Sequence, residues 1–354
     1  MSAATLASPR RLAQPGRRRL VTGAAAMALA LIALGALLVW RQGSWAAASF
    51  VERPMLDRGD IPAALAIGPD GAPWFTIESS DSLGVLHGTT ITKLPKGREN
   101  LEPLGLAVTP DGDVWFTDAI AESIGHLAPD GRLESFPLPS RITQFGRLAL
   151  APDGAVWFAD GWTNGIIRLQ AGDFTPFPAR LPNAGPFGVA VDPHGTIWAT
   201  FQTTNQLVRI GPDGQMTELE VPTRSGGPTD VAIGGDGSVW FVELRAGKIG
   251  RFADGRFTEF TVPATDAGIT GLAVAPDGAV WFTELRQHKL GRLRDGRFTE
   301  FRIPRDDARP FGIAVDSAGN VWYTDLAGWL GTLPADAARF PALDPRGIFP
   351  WLPA

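Results

Sequence analysis

The chain runs to 354 residues with 42 Gly, 30 Pro and no Cys, which excludes disulfides, thiol nucleophiles, iron–sulfur clusters and cysteine zinc sites. Residues 1–49 hold six of the 32 basic residues and no acid, so the other 26 face 37 acids, a net charge of −11. A body of that sign matches phosphate backbones poorly, and nucleic acid is not an expected partner.

Residues 1–19 form a basic leader ending in Arg17-Arg18-Arg19, and the uncharged, Ala- and Leu-rich segment 20–40 follows it. As a helix, that segment is long enough to cross the hydrocarbon core, and the arginines before it favour a cytoplasmic N-terminus. Two readings stay open. Retained, it is a signal anchor that ties the protein to the membrane. Cleaved at the small-residue site Ala46-x-Ala48, it is a signal peptide, and Arg-Arg ahead of Leu20-Val21 resembles a twin-arginine export signal. Either way, everything after the linker 41–49 is expected outside the cytoplasm, anchored by its N-terminal helix or else secreted or periplasmic.

From there an apolar-Trp-aromatic phrase recurs at Trp74, Trp115, Trp157, Trp198, Trp240, Trp281 and Trp322, at spacings of 41 or 42 residues. Seven units of that period predict an all-β fold, a seven-bladed β-propeller of four-stranded blades over residues 50–343, with 344–354 as a tail. The sixth unit shows the grammar. Gly271-Leu272-Ala273-Val274 is a first strand, Pro276-Asp277-Gly278 a turn, and Val280-Trp281-Phe282-Thr283 a second strand. Lys289 to Leu293 is a third strand, Asp295-Gly296 a second turn, and Phe298 to Ile303 an alternating outer strand that ends at Pro304. Each repeated Trp is expected as a wedge between blades. Residues 50–56 resemble an outer strand with no first strand before them. They are expected to close the last blade, with Arg339-Phe340-Pro341-Ala342-Leu343 as the competing candidate.

Because strands one and two turn at Asp-Gly, the start of strand one and the end of strand two share one rim, at the mouth of the central channel. Three positions after each Trp stand Ile77, Asp118, Asp160, Phe201, Glu243, Glu284 and Asp325. This partial ring of carboxylates reads either as an oxygen-rich site for Mg²⁺ or Ca²⁺, through Asp118, Glu243, Glu284 and Asp325, or as repeated salt bridges with Arg245 and Arg286 as partners. At the start of strand one stand Ala63, Leu104, Gly146, Phe187, Thr229, Thr270 and Phe311, none of them a general base. Phe187 and Phe311, with Trp162 and Trp329 from following loops, suggest an aromatic mouth, either stacking on a ligand or plugging the channel. The four His (His87, His126, His194 and His288) share no repeat position, which argues against a metal cage or a catalytic dyad.

The order P-x-G-I, D-G-x-[IV]-W-F-T-E, K-I-G-R, F-T-E-F, seen in Pro310 to Val315, Trp281 to Glu284 and Lys248 to Arg251, resembles the repeat of the virginiamycin B lyase (streptogramin lyase) family. The resemblance spans residues 57–343. It implies a propeller that opens a cyclic depsipeptide at its ester by elimination, with Mg²⁺ polarising the substrate and a His taking a proton. Carried over by position, the two functional His correspond to Thr270 and Phe311, and a metal-ligating Glu to Arg309, while the second acid persists as Asp325. Neither Thr nor Phe abstracts a proton near neutral pH. Glu102 and Asp118 repeat the spacing of the metal carboxylates in the second unit, with Leu104 in place of the His.

Three functions are therefore open. The first is a binding module taking a small molecule, glycan or protein at a mouth built of Phe187, Arg245, Arg286, Arg309 and Phe311. The second is a Mg-dependent carbon–oxygen lyase or lactone hydrolase acting on a cyclic ester. The third is a scaffold with a protein partner on one rim.

Overall fold

A computed structural model describes residues 50–339 except 79, 97–103 and 140–144. The apolar segment 20–40, Glu102, residues 340–343 of the competing closing strand and the tail 344–354 lie outside the described residues.

Seven four-stranded antiparallel sheets are present, as the repeat predicts. Six are continuous in sequence, covering residues 61–95, 106–137, 145–178, 186–220, 228–261 and 269–302 (blades 1 to 6). Blade 7 takes three strands from 310–333 and its fourth, outer strand from Val51–Pro54, which pairs antiparallel with Trp329–Leu333. The N-terminal strand is thus the clasp. Its Glu52 accepts hydrogen bonds from Tyr323 Oη and Arg305 Nε, both at 2.9 Å, so a polar knot joins the two ends of the ring where a sheet edge would otherwise stand open.

Each repeated residue type has a local cause. In blade 6, Gly278 at φ 79° makes the turn that an L side chain resists, and Asp277 Oδ1 accepts the Ala279 N–H across it. Gly291 in strand three is needed for close approach, because a Cβ there would stand 2.1 Å from the Phe282 ring lying flat on the strand. The repeated Trp residues wedge between blades as expected. Trp281 packs with Phe301 of its own blade and with Val321 and Tyr323 of the next, and Arg292 lies 5.5 Å over its indole. His126 does the same work in blade 2, stacked on Trp115 at 4.2 Å and bridging Asp113 and Glu134.

Neighbouring blades are also tied by a threonine. Thr283 Oγ1 accepts the Gly271 N–H (2.9 Å) and donates to Phe311 O of blade 7 (3.2 Å), and Thr324 links Gly312 to Ala63 O of blade 1 in the same way. Thr200 makes the equivalent link from Gly188 to Thr229 O. In blades 3 and 5 that position holds Ala159 and Val242, which carry no hydroxyl.

Candidate functional site

Strand one carries a register shift at its mouth end in every blade whose start is described, between Phe145 and Leu148 and between Pro228 and Val231 for example. A bulge re-aims the side chains it contains. The second bulged residue is small in blades 1, 4, 6 and 7 (Ala64, Gly188, Gly271 and Gly312), as is Gly105 at the equivalent position of blade 2, but it is Arg147 in blade 3 and Asp230 in blade 5. Those are the two blades that lack the threonine tie.

Arg147 reaches across the channel to Asp230. Its Nε stands 3.3 Å from Asp230 Oδ1 and its Nη2 3.4 Å from Oδ2, a side-on fork between blades that are not neighbours. Nη1 also donates to Leu104 O (3.2 Å) and Nη2 to Thr270 O (3.3 Å), and the guanidinium lies 5.8 Å from the Phe311 ring centroid. One side chain therefore touches blades 2, 5, 6 and 7 from blade 3. Asp230 is fixed independently by the N–H groups of Leu272 (3.0 Å) and Val231 (3.2 Å). A cavity of about 140 Å³ adjoins the pair, its accessible surface mostly polar and backed by aliphatic side chains, Leu65, Leu148, Val189, Leu272 and Ile313 among them.

The carboxylates three positions after each Trp do not form an open ring. Asp118, Asp160, Glu243, Glu284 and Asp325 are all buried, each within its own blade. The Asp residues turn back onto the following loop: Asp118 accepts the Ala121 N–H, Asp160 those of Trp162 and Thr163, and Asp325 that of Ala327. Asp118 also faces the buried Lys96 at 3.7 Å. Glu243 and Glu284 differ, since neither carboxylate oxygen of either residue accepts a hydrogen bond. Burial, then the charge of Glu259, pushes the Glu243 carboxyl up to about 7, against the pull of Lys248. Burial, then Glu300, does the same for Glu284, against Lys289.

The arginines expected to partner those glutamates go elsewhere. Arg286 pairs with Asp266, and Arg245 Nη1 donates to Gln202 O. The cations beside the glutamates are Lys248 and Lys289 instead, each held by an outer-strand acid (Glu259 at 2.8 Å and Glu300 at 2.5 Å). Strand three starts at these lysines, directly opposite the glutamates in the ladder, so the i-to-j pairing rather than the loop sets the partner. Arg309 binds Asp325 through its backbone N–H (3.0 Å), and the side-chain partner of Asp325 is Arg305 Nη2 at 2.6 Å. Trp329 lies under that guanidinium at 4.6 Å, while Trp162 stands half exposed on its loop.

The positions that the resemblance gives to a magnesium ion do not suit one. Arg309 offers no ligand, and Asp325 already faces a fixed positive charge. Among the described residues, no three His, Asp or Glu converge as a metal-binding group. Asp118, Glu243, Glu284 and Asp325 sit in four separate blades.

Comparison with known proteins follows the repeat closely. The profile of the virginiamycin B lyase family matches residues 46–170 and 89–338. Virginiamycin B lyase of Nocardia farcinica is 42% identical over 65 residues, 18% of this chain and 23% of that protein; the chain thus spans under a quarter of the length of the curated relatives it matches. Among solved structures, a streptogramin B lyase superposes with a TM-score of 0.77 at 25% identity, over 81% of this chain and 98% of that one. A catalytically inactive virginiamycin B lyase from Staphylococcus aureus, crystallised with quinupristin, gives 0.76 at 26% identity, over 80% and 98%. With blade count, strand-one and strand-two motifs and profile in agreement along the length of the propeller, this chain belongs to the virginiamycin B lyase family.

Proposed function

We propose that this family member is a ligand-binding propeller of the extracytoplasmic space, and that it does not open esters by the family's elimination route. The observation that carries the reading is the mouth itself. The two positions that would hold the family's bases are Thr270 and Phe311. The Thr270 hydroxyl is bonded to Thr283 Oγ1 (2.9 Å) and Phe311 O (3.1 Å), and its carbonyl accepts from Arg147. A hydroxyl held in this way has no adjacent base to activate it. In place of a base, the mouth offers a guanidinium, a carboxylate, the Phe311 ring and a small cavity backed by aliphatic side chains, which is the composition of a recognition site. Placement outside the cytoplasm rests on the arginine-flanked apolar segment 20–40.

The test uses the full-length chain in detergent with quinupristin. Elimination at the ester opens the ring without changing mass, so products are separated chromatographically. Quinupristin is expected back unopened with or without added Mg²⁺, with any retained fraction measured by equilibrium dialysis. Magnesium-dependent appearance of the ring-opened isomer would overturn the reading and restore lyase chemistry, with Glu284→Gln and Asp325→Asn then locating it.

A further inference from the structure

We infer that the channel mouth binds a small aliphatic carboxylate, which Arg147 holds in competition with Asp230; the inference rests on reading that mouth as a binding site. The two halves of the ion pair are not equally committed. Asp230 keeps two backbone N–H donors whatever Arg147 does. Arg147 has the weaker hold. Its fork contacts of 3.3 and 3.4 Å are about half an ångström longer than a charge-assisted bond prefers, its Nε makes no aligned hydrogen bond, and its other partners are two neutral carbonyls at 3.2 and 3.3 Å. A guanidinium presents five N–H donors and cannot shed its charge, so a second carboxylate entering the mouth meets an under-used donor set.

The surroundings choose the rest of the ligand. The cavity beside the pair has about 140 Å³, and the aliphatic side chains of Leu65, Leu148, Leu272 and Ile313 line it. A cavity of that size holds a molecule of few heavy atoms; its accessible surface is mostly polar, beside Arg147 and Asp230, with aliphatic side chains behind, so a monocarboxylate with a short chain fits with its head on Arg147. A dianion is disfavoured because Asp230 stays in place beside it. An alkylamine would have to take Asp230 from its guanidinium and gains nothing from the unused Arg147 donors.

The experiment titrates the full-length chain in detergent with butanoate, pentanoate and hexanoate, with hexylamine and hexanol as controls, by calorimetry or ligand-observed NMR. Saturable carboxylate binding is expected. Asp230→Asn keeps an acceptor for the two amides but removes the competing charge, and it is expected to tighten binding about tenfold or more. Arg147→Leu is expected to abolish binding and Arg147→Lys to weaken it, with thermal melts showing that each variant is folded. If neither the wild-type chain nor Asp230→Asn binds, the pair is only a cross-channel brace and the inference fails. Binding unchanged in Arg147→Leu, or binding of hexylamine in preference to hexanoate, overturns it too. Retention of intact quinupristin without carboxylate binding would sink this inference alone, whereas ring opening would sink the functional reading alone.

Discussion

Blades 6 and 7 carry an acid at the same point of the repeat and treat it in opposite ways. Asp325 in blade 7 is buried but saturated: it accepts from the Ala327 and Arg309 N–H groups and from Arg305 Nη2, and Arg305 in turn grips Glu52 of the clasp. Glu284 in blade 6 is equally buried, yet both its oxygens lack hydrogen bonds, and the nearby charges, Glu300 and Lys289, are themselves paired with each other. One methylene separates the two outcomes. The shorter side chain folds back on the loop N–H groups. In blade 6 the donor corresponding to Ala327, the Arg286 N–H, is taken by Ala267 O of the preceding link. The repeat fixes where the acid goes, and the local donors decide whether it is a stabilising anion or a carboxyl held toward its neutral form.

The strongest way to sharpen that contrast is Asp325→Asn. It removes one partner of a buried ion pair and leaves Arg305 with only Glu52 and Asp307, a change expected to cost about 3–5 kcal/mol at pH 8, read by denaturant unfolding. A cost below that of a typical surface substitution would mean that the clasp holds without this carboxylate.

Glu284→Gln should move stability the other way. A carboxyl whose folded pKa is raised from 4.5 to about 7 binds more protons folded than unfolded, so the stability of the native state falls as pH rises through that interval. Replacing it with a neutral isostere is expected to add about 3 kcal/mol at pH 8 and almost nothing at pH 4. Glu243, also raised to about 7, predicts the same for Glu243→Gln. The double variant should flatten the fall in stability between pH 4.5 and 7 that the parent shows, and an unchanged slope would mean that neither group is held neutral. A saturable rise in melting temperature with Mg²⁺ in the parent, lost in both Gln variants, would instead make these wells cation sites.

Most of the fold was legible because it is carried by short, repeated physical requirements. The Trp spacing gave seven blades, Gly278 and its counterparts the turns, and residues 50–56 the closing strand. The site was less legible, for two reasons. Aspartate and glutamate read as one class, so the difference between Asp325 and Glu284 was invisible, and their cations (Arg305, Lys248 and Lys289) come from the link and from strand three rather than from the adjacent loop. Arg147 and Asp230 did leave a signal. They replace a small bulge residue in just the two units where strand two exchanges Thr for Ala159 and Val242. Reading the first bulge position alone, at Thr270 and Phe311, stops one residue short of it.

The smallest expected effect tests whether the lysine in blade 6 belongs to Glu284 or only to Glu300. Lys289 stands opposite Glu284 in the ladder and holds Glu300 Oε2 at 2.5 Å. Its charge is the attraction that opposes burial at Glu284, so Lys289→Met should move the Glu284 ionisation above 7, followed by carbon-13 NMR of the labelled carboxyl. Stability at pH 8 should fall only slightly, because Glu300 is partly exposed and surface-type pairs contribute about 1 kcal/mol or less. A midpoint that stays put would show that the Lys289 charge is not felt at Glu284. Glu284 would then be held toward its neutral form by burial and Glu300 unopposed, and the contrast with blade 7 would come down to the guanidinium of Arg305.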